Sequence, residues 1–140
     1  LAEKYNCNLV YPNDVAVGKN VIDTAKIKNL SDIEDDDLIL DIGPETIKMI
    51  KSLLENSKTV LWNGPAGYFE NQNFANGSNE IANKIKSMQN KIYSVAGGGD
   101  TIAVLNETKA YDQFNFISTA GGAFLEYLEG KEIPGITALN

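Results

Sequence analysis

The sequence has 140 residues, 43% of them hydrophobic and 22% charged, which fits a single globular unit and is too short for two domains. Twelve lysines, no arginine and nineteen acidic residues give a net charge of −7, which leaves no basic stripe for a nucleic-acid backbone. The absence of histidine excludes imidazole bases and His metal sites, the single cysteine, Cys7, excludes an internal disulfide and fits a reducing compartment, and no apolar run reaches the roughly eighteen residues of a membrane helix, so a soluble chain is expected.

Leu1 to Tyr5 reads as the end of a helix, so the chain looks entered partway through a longer one. Short apolar runs bounded by turn residues follow as strand candidates: Asn8 to Val10, Val15 to Val17, Leu38 to Leu40, Thr59 to Trp62, Ile92 to Ala96 and Asn115 to Ser118. The first two, separated by Pro12-Asn13-Asp14, are spaced for a hairpin. Helix-period stretches are expected over Pro44 to Glu55, Ser78 to Met88, Thr101 to Asn106 and Gly122 to Leu128. Pro44 suits a first helical turn, and Ile47, Ile50, Leu53 and Leu54 share a face. Strands alternating with helices predict an α/β fold: a Rossmann-like parallel, partly mixed sheet with helices on both faces.

Ser31 to Asp41 packs six carboxylates into eleven residues. Asp32, Glu34 and Asp36 match the first positions of a calcium loop, but Asp37 replaces its turn glycine and Gly43 its bidentate glutamate, so a solvated acidic loop is the better reading. Asn76-Gly77-Ser78 and Asn106-Glu107-Thr108 fit the glycosylation acceptor pattern and, without a secretory signal, are taken as coincidental.

The informative pattern is strand, glycine-rich turn, helix, three times over. Asn63-Gly64-Pro65-Ala66-Gly67, Gly97-Gly98-Gly99-Asp100-Thr101 and Thr119-Ala120-Gly121-Gly122 each follow a strand candidate. If the strands are parallel, all three turns lie along one sheet edge, where open α/β folds bind ligands. Glycines admit phosphate oxygens close to backbone amides, and a following helix N-terminus adds unpaired N–H donors. With arginine absent, a phosphate site here must lean on amides and metal. Tight turns also need glycine with nothing bound, and Asp100 is equally placed to cap a helix or to hold Mg²⁺. Glu70 lies where a carboxylate can accept from ribose hydroxyls, or be plain surface.

Leu61-Trp62-Asn63-Gly64-Pro65-Ala66-Gly67-Tyr68-Phe69-Glu70, Ala96-Gly97-Gly98-Gly99-Asp100-Thr101 and Ser118-Thr119-Ala120-Gly121-Gly122-Ala123 closely resemble the nucleotide-site motifs of phosphoglycerate kinase, with Asp41-Ile42-Gly43-Pro44-Glu45 and Leu128-Glu129-Gly130-Lys131 in matching order. The resemblance runs from about Tyr11 to the end. It implies the carboxyl-terminal part of the nucleotide-binding domain over residues 1–140, with the N-terminal domain absent, in a cytoplasmic, monomeric glycolytic kinase that passes a phosphoryl group from 1,3-bisphosphoglycerate to Mg-ADP, giving 3-phosphoglycerate and ATP. It further implies nucleotide contacts from Leu40, Asn63, Gly64, Pro65, Gly97, Gly98 and Gly99, ribose binding by Glu70, phosphate contact by Thr101, Mg²⁺ at Asp100, and stabilisation of the transferring group by the amides of Gly121 and Gly122.

Ala120 stands where the family usually has the first of three glycines, so a Cβ there threatens a left-handed backbone or the phosphoryl position. Tyr68 and Ile39 replace smaller residues near the ribose and adenine, and Phe116 a common histidine. The resemblance covers about the last third of the family's chain and lacks its basic 3-phosphoglycerate site and catalytic arginine, so these residues alone are expected to be inert. The competing readings are another α/β sugar-phosphate or nucleotide enzyme and a non-catalytic fragment.

Overall fold

The computed structural model describes residues 1–139 as two three-stranded sheets joined by helices. The chain runs β1 (Asp14–Gly18), β2 (Lys26–Asn29), β3 (Leu38–Ile42), α1 (Pro44–Glu55), β4 (Thr59–Asn63), α2 (Asn76–Ser87), β5 (Tyr93–Gly97), α3 (Gly99–Glu107), β6 (Phe116–Ser118), α4 (Gly122–Leu128) and α5 (Pro134–Thr137). β1 lies between β2 and β3, antiparallel to both; β5 lies between β4 and β6, parallel to both.

The α/β class and parallel sheet are as expected, and α1 begins and ends where its pattern does. The start of the chain is different. Asn8 to Val10 forms no strand, and Leu9 and Val10 are exposed. The strand beside β1 is instead Lys26–Asn29, an edge strand whose sequence KIKN has too little apolar alternation to be read in advance. Lysines on such an edge discourage further pairing. The antiparallel part is thus a separate sheet rather than the mixed start of one sheet.

The main core lies on one face of the parallel sheet. Trp62 and Ala96, register partners on β4 and β5, face Leu54 of α1, Ile81, Ala82 and Ile85 of α2, and Val104 and Leu105 of α3. Ile117 of β6 continues this row, and Phe114 backs Trp62 with ring centroids 6.4 Å apart. Leu61, Tyr93 and Phe116, on the alternate positions, are about half exposed; Phe124 of α4 leans on Phe116 at 6.2 Å.

The acidic segment is not simply solvated. Lys19 reaches Glu34, Asp36 and Asp37, and Lys28 reaches Glu34 and Asp37, at 2.5–3.2 Å. These ammonium groups take the carboxylate oxygens that a cation would need, and hold Asp37, whose side chain is only 2% exposed, well below the usual carboxylate range. Lys28 leads that effect, followed by the Glu34 amide. The segment is therefore fastened across β1 and β2 before the chain enters β3.

Candidate functional site

Parallel register brings the three glycine turns together. Asn63, the last residue of β4, pairs with Gly97 of β5, and Gly97 pairs with Ser118 of β6. The three strands therefore end level, and the turns leave from one rim. Each turn contains one glycine at positive φ: Gly64 at 98°, Gly98 at 91° and Gly121 at 51°. A side chain at any of these would strain the backbone. Ala120 is not among the positive-φ residues, so its Cβ costs no strain; the left-handed position in that turn belongs to Gly121.

The turns touch one another. A Cβ placed on Gly97 would lie 3.1 Å from Asn63 Oδ1 and 3.2 Å from Phe124 Cδ1, which leaves room for glycine but little more. Thr101, fully buried on the first turn of α3, accepts the Gly64 N–H through its hydroxyl at 2.7 Å. That hydroxyl ties the second turn to the first. What α3 keeps at the rim is the set of first-turn amides and an exposed Gly99-Asp100.

The first turn is held at alternate residues. Gly64 N–H goes to Thr101, Ala66 N–H to the buried Ser78 hydroxyl at 2.9 Å, and Tyr68 N–H to the Leu40 carbonyl at 2.7 Å. The Gly64, Ala66 and Tyr68 amides are thus spent on the fold, and the turn forms a fixed wall more than an amide cradle. Ser78 opens α2 and closes the turn at once; the helix pattern marked it only as a helical residue.

Leu40 faces this wall. With Ile39, Pro65, Gly67 and Tyr68 it lines an open cavity of about 310 Å³. The approach depends on an irregularity in the antiparallel sheet: Ala16 pairs with Asp41 and Val17 with Ile39, so Leu40 is an extra, bulged residue. A bulge leaves its carbonyl outside the ladder, where Tyr68 takes it. Glu70 opens onto a different groove of about 710 Å³ with Gln72, Asn79, Asn83 and Glu107. Of the expected residues, Asn63, Gly64, Gly97, Gly98 and Thr101 thus gather at the rim and Leu40 with Pro65 in the cavity, while Glu70 stands apart from both.

Asp100 lies on the first turn of α3, whose N-cap is Gly98, and no side chain caps that helix. Its carboxylate forms no hydrogen bond or ion pair among the described residues. One exposed, unpaired carboxylate beside free helix amides suits Mg²⁺, which takes one or two carboxylates and completes its shell with water and phosphate oxygens. Gly121 and Gly122 stand at the start of α4, where the Ala123 and Phe124 amides close back on Ala120 and Gly121 carbonyls at 3.2 Å.

Comparison with known proteins points to one family. The family model described as phosphoglycerate kinase matches residues 1–131. Phosphoglycerate kinases of Francisella tularensis subsp. novicida and Xanthobacter flavus are 49% and 43% identical to the chain, covering 99% of it and 35% and 36% of their own lengths. The solved phosphoglycerate kinase of Coxiella burnetii superposes with a TM-score of 0.89 at 39% identity, and that of Pyrococcus horikoshii with 0.77 at 29%; each match covers 99% of the chain, and 36% and 34% of the respective structures. The chain spans about a third of the length of the curated relatives it matches. With three glycine turns level on one rim and a family match over nearly every residue, this chain belongs to the phosphoglycerate kinase family.

Proposed function

We propose that the chain supplies the nucleotide side of an ATP:3-phosphoglycerate phosphotransferase acting in the cytoplasm. The observation that carries the proposal is the Asn63–Gly97–Ser118 register, which puts three glycine turns on one rim. In the reaction, a terminal oxygen of the ADP β-phosphate takes the phosphoryl group, its bond to the carboxyl oxygen of 1,3-bisphosphoglycerate breaks, and 3-phosphoglycerate leaves as a carboxylate. Such transfers depend on positioning and on stabilising charge at the equatorial oxygens.

Placement and the family resemblance together support the roles. Leu40, Pro65 and Tyr68 offer an apolar cavity for the adenine, and Glu70, which is exposed and shares a neighbouring groove with Tyr68, is assigned to the ribose on the family resemblance. Asn63 and Gly97 to Gly99 bring the phosphates to the first turn of α3, and Asp100 holds Mg²⁺, which neutralises phosphate charge when bound. Thr101 serves the phosphates indirectly, by locking the two turns together. The Gly121 and Gly122 amides, at the start of α4, face the transferring group.

Calorimetry with Mg-ADP tests the assignment. Weak binding is expected that loses its Mg²⁺ dependence in Asp100→Ala, and no turnover is expected from the chain alone in a coupled assay. An unchanged metal response would remove Asp100 from the metal site.

A further inference from the structure

We infer that Asp41 is a positioning residue for the nucleotide site, clamping the turn between β4 and α2 against β3 so that the adenine cavity keeps its shape. The inference rests on the nucleotide reading above. Asp41 is 2% exposed yet lies in no ion pair among the described residues, so its burial needs another explanation. Its Oδ1 accepts the Ile42 N–H and its Oδ2 the Gly77 N–H, both at 2.8 Å. Gly77 is in the first turn of α2, so a carboxylate on β3 caps a helix that begins more than thirty residues later.

Two glycines are shaped around that carboxylate. A Cβ on Gly77 would come within 2.3 Å of Asp41 Oδ1, and one on Gly67 within 2.5 Å of the same oxygen and 2.6 Å of the Leu40 carbonyl. The carboxylate thus sits between the turn that forms one cavity wall and the helix that follows it. The neighbouring residue completes the clamp: the bulge at Leu40 frees its carbonyl for Tyr68. β3 therefore holds the Gly67-Tyr68 segment by Leu40 and the α2 end by Asp41, while Leu40 and Tyr68 line the cavity between. Burial pushes the Asp41 carboxyl up, and the Gly77, Ile42 and Asn76 amides offset only part of this, consistent with a group kept in place for its geometry.

Asp41→Asn keeps the shape but replaces one acceptor oxygen by a donor facing an N–H. Hydrogen exchange should quicken at least tenfold at Tyr68 and Gly77 while Ile47, in α1, stays at its original rate, and Mg-ADP affinity should fall by about tenfold. Gly67→Ala, which pushes on the same clamp and leaves the carboxylate intact, should give the same local pattern if Asp41→Asn does not fold. Equal acceleration at all three amides, or none at Tyr68, would overturn the clamp, as would unaltered Mg-ADP affinity in a variant whose Tyr68 exchange has quickened. If the unaltered chain bound no Mg-ADP, the nucleotide reading would fall, and the exchange pattern would still decide whether the clamp exists.

Discussion

Two helices of this chain begin in the same manner and are held with different strength. At α1, Asp14 of β1 reaches across to accept the Glu45 N–H at 3.0 Å, the Thr46 N–H at 2.8 Å and the Thr46 hydroxyl at 2.7 Å. At α2, Asp41 of β3 accepts the Gly77 N–H, and its other oxygen turns to its own neighbour, Ile42. Both carboxylates are almost fully buried. Burial pushes each up, but at Asp14 the Thr46 and Glu45 donors outweigh it and hold the carboxyl below its ordinary value, whereas at Asp41 burial wins. The same device therefore gives a firm anchor for the helix outside the site and a weaker one for the helix behind the nucleotide wall. The contrast predicts lower local stability at the start of α2 than at the start of α1.

The comparison is broken most severely through the glycines. A Cβ on Gly43 would lie 2.2 Å from Asp14 Cγ, inside a cap that has no slack. Gly43→Ala should cost about 3 kcal/mol by overpacking, and more than Gly67→Ala, which meets the looser Asp41 cap beside an open cavity; chemical denaturation measures both. A smaller effect separates the carboxylates themselves. Asp14→Ala strands the Glu45 and Thr46 amides and leaves the Thr46 hydroxyl only the Asp14 main-chain carbonyl as acceptor, and should lose about 2–3 kcal/mol, against about 1–2 kcal/mol for Asp41→Ala, which strands two amides, one of them next to its own side chain. Equal losses would mean that the number of donors does not set the strength of these caps.

What the sequence revealed, and what it hid, follows the same division. The parallel strands, the helices between them and the three glycine turns are local patterns, and the turns could be placed on one edge because parallel strands must end on the same side. The long-range caps could not be read. Asp14 and Asp41 look like ordinary strand-end aspartates, and nothing local links Asp14 to Thr46 or Asp41 to Gly77. The extra residue at Leu40 leaves no trace in an apolar run, since LIL fits a regular strand equally well. Thr101 was legible as a residue of the second turn but not as the acceptor for Gly64, because that bond joins two loops thirty-seven positions apart. Lys26–Asn29 escaped for the opposite reason: an exposed edge strand has little apolar signal to give.

The smallest expected effect is the most specific, because the two carboxylates should respond to pH in opposite directions. Asp14 sits below the ordinary aspartate value of 3.8, so its contribution is complete above that value and is lost as pH falls through its lowered folded-state value. Asp41 sits above 3.8, so its contribution is complete below that value and is lost as pH rises through its raised folded-state value. Urea midpoints measured from about pH 3 to pH 6 on the two asparagine variants separate them. Asp14→Asn should flatten the acid limb below 3.8 and leave the rest of the profile parallel to that of the unaltered chain, whereas Asp41→Asn should leave the acid limb alone and remove a decline above 3.8. Profiles that change on the same side of 3.8 would show that the two caps hold their carboxylates alike, and the contrast between a firm and a yielding anchor would go with them.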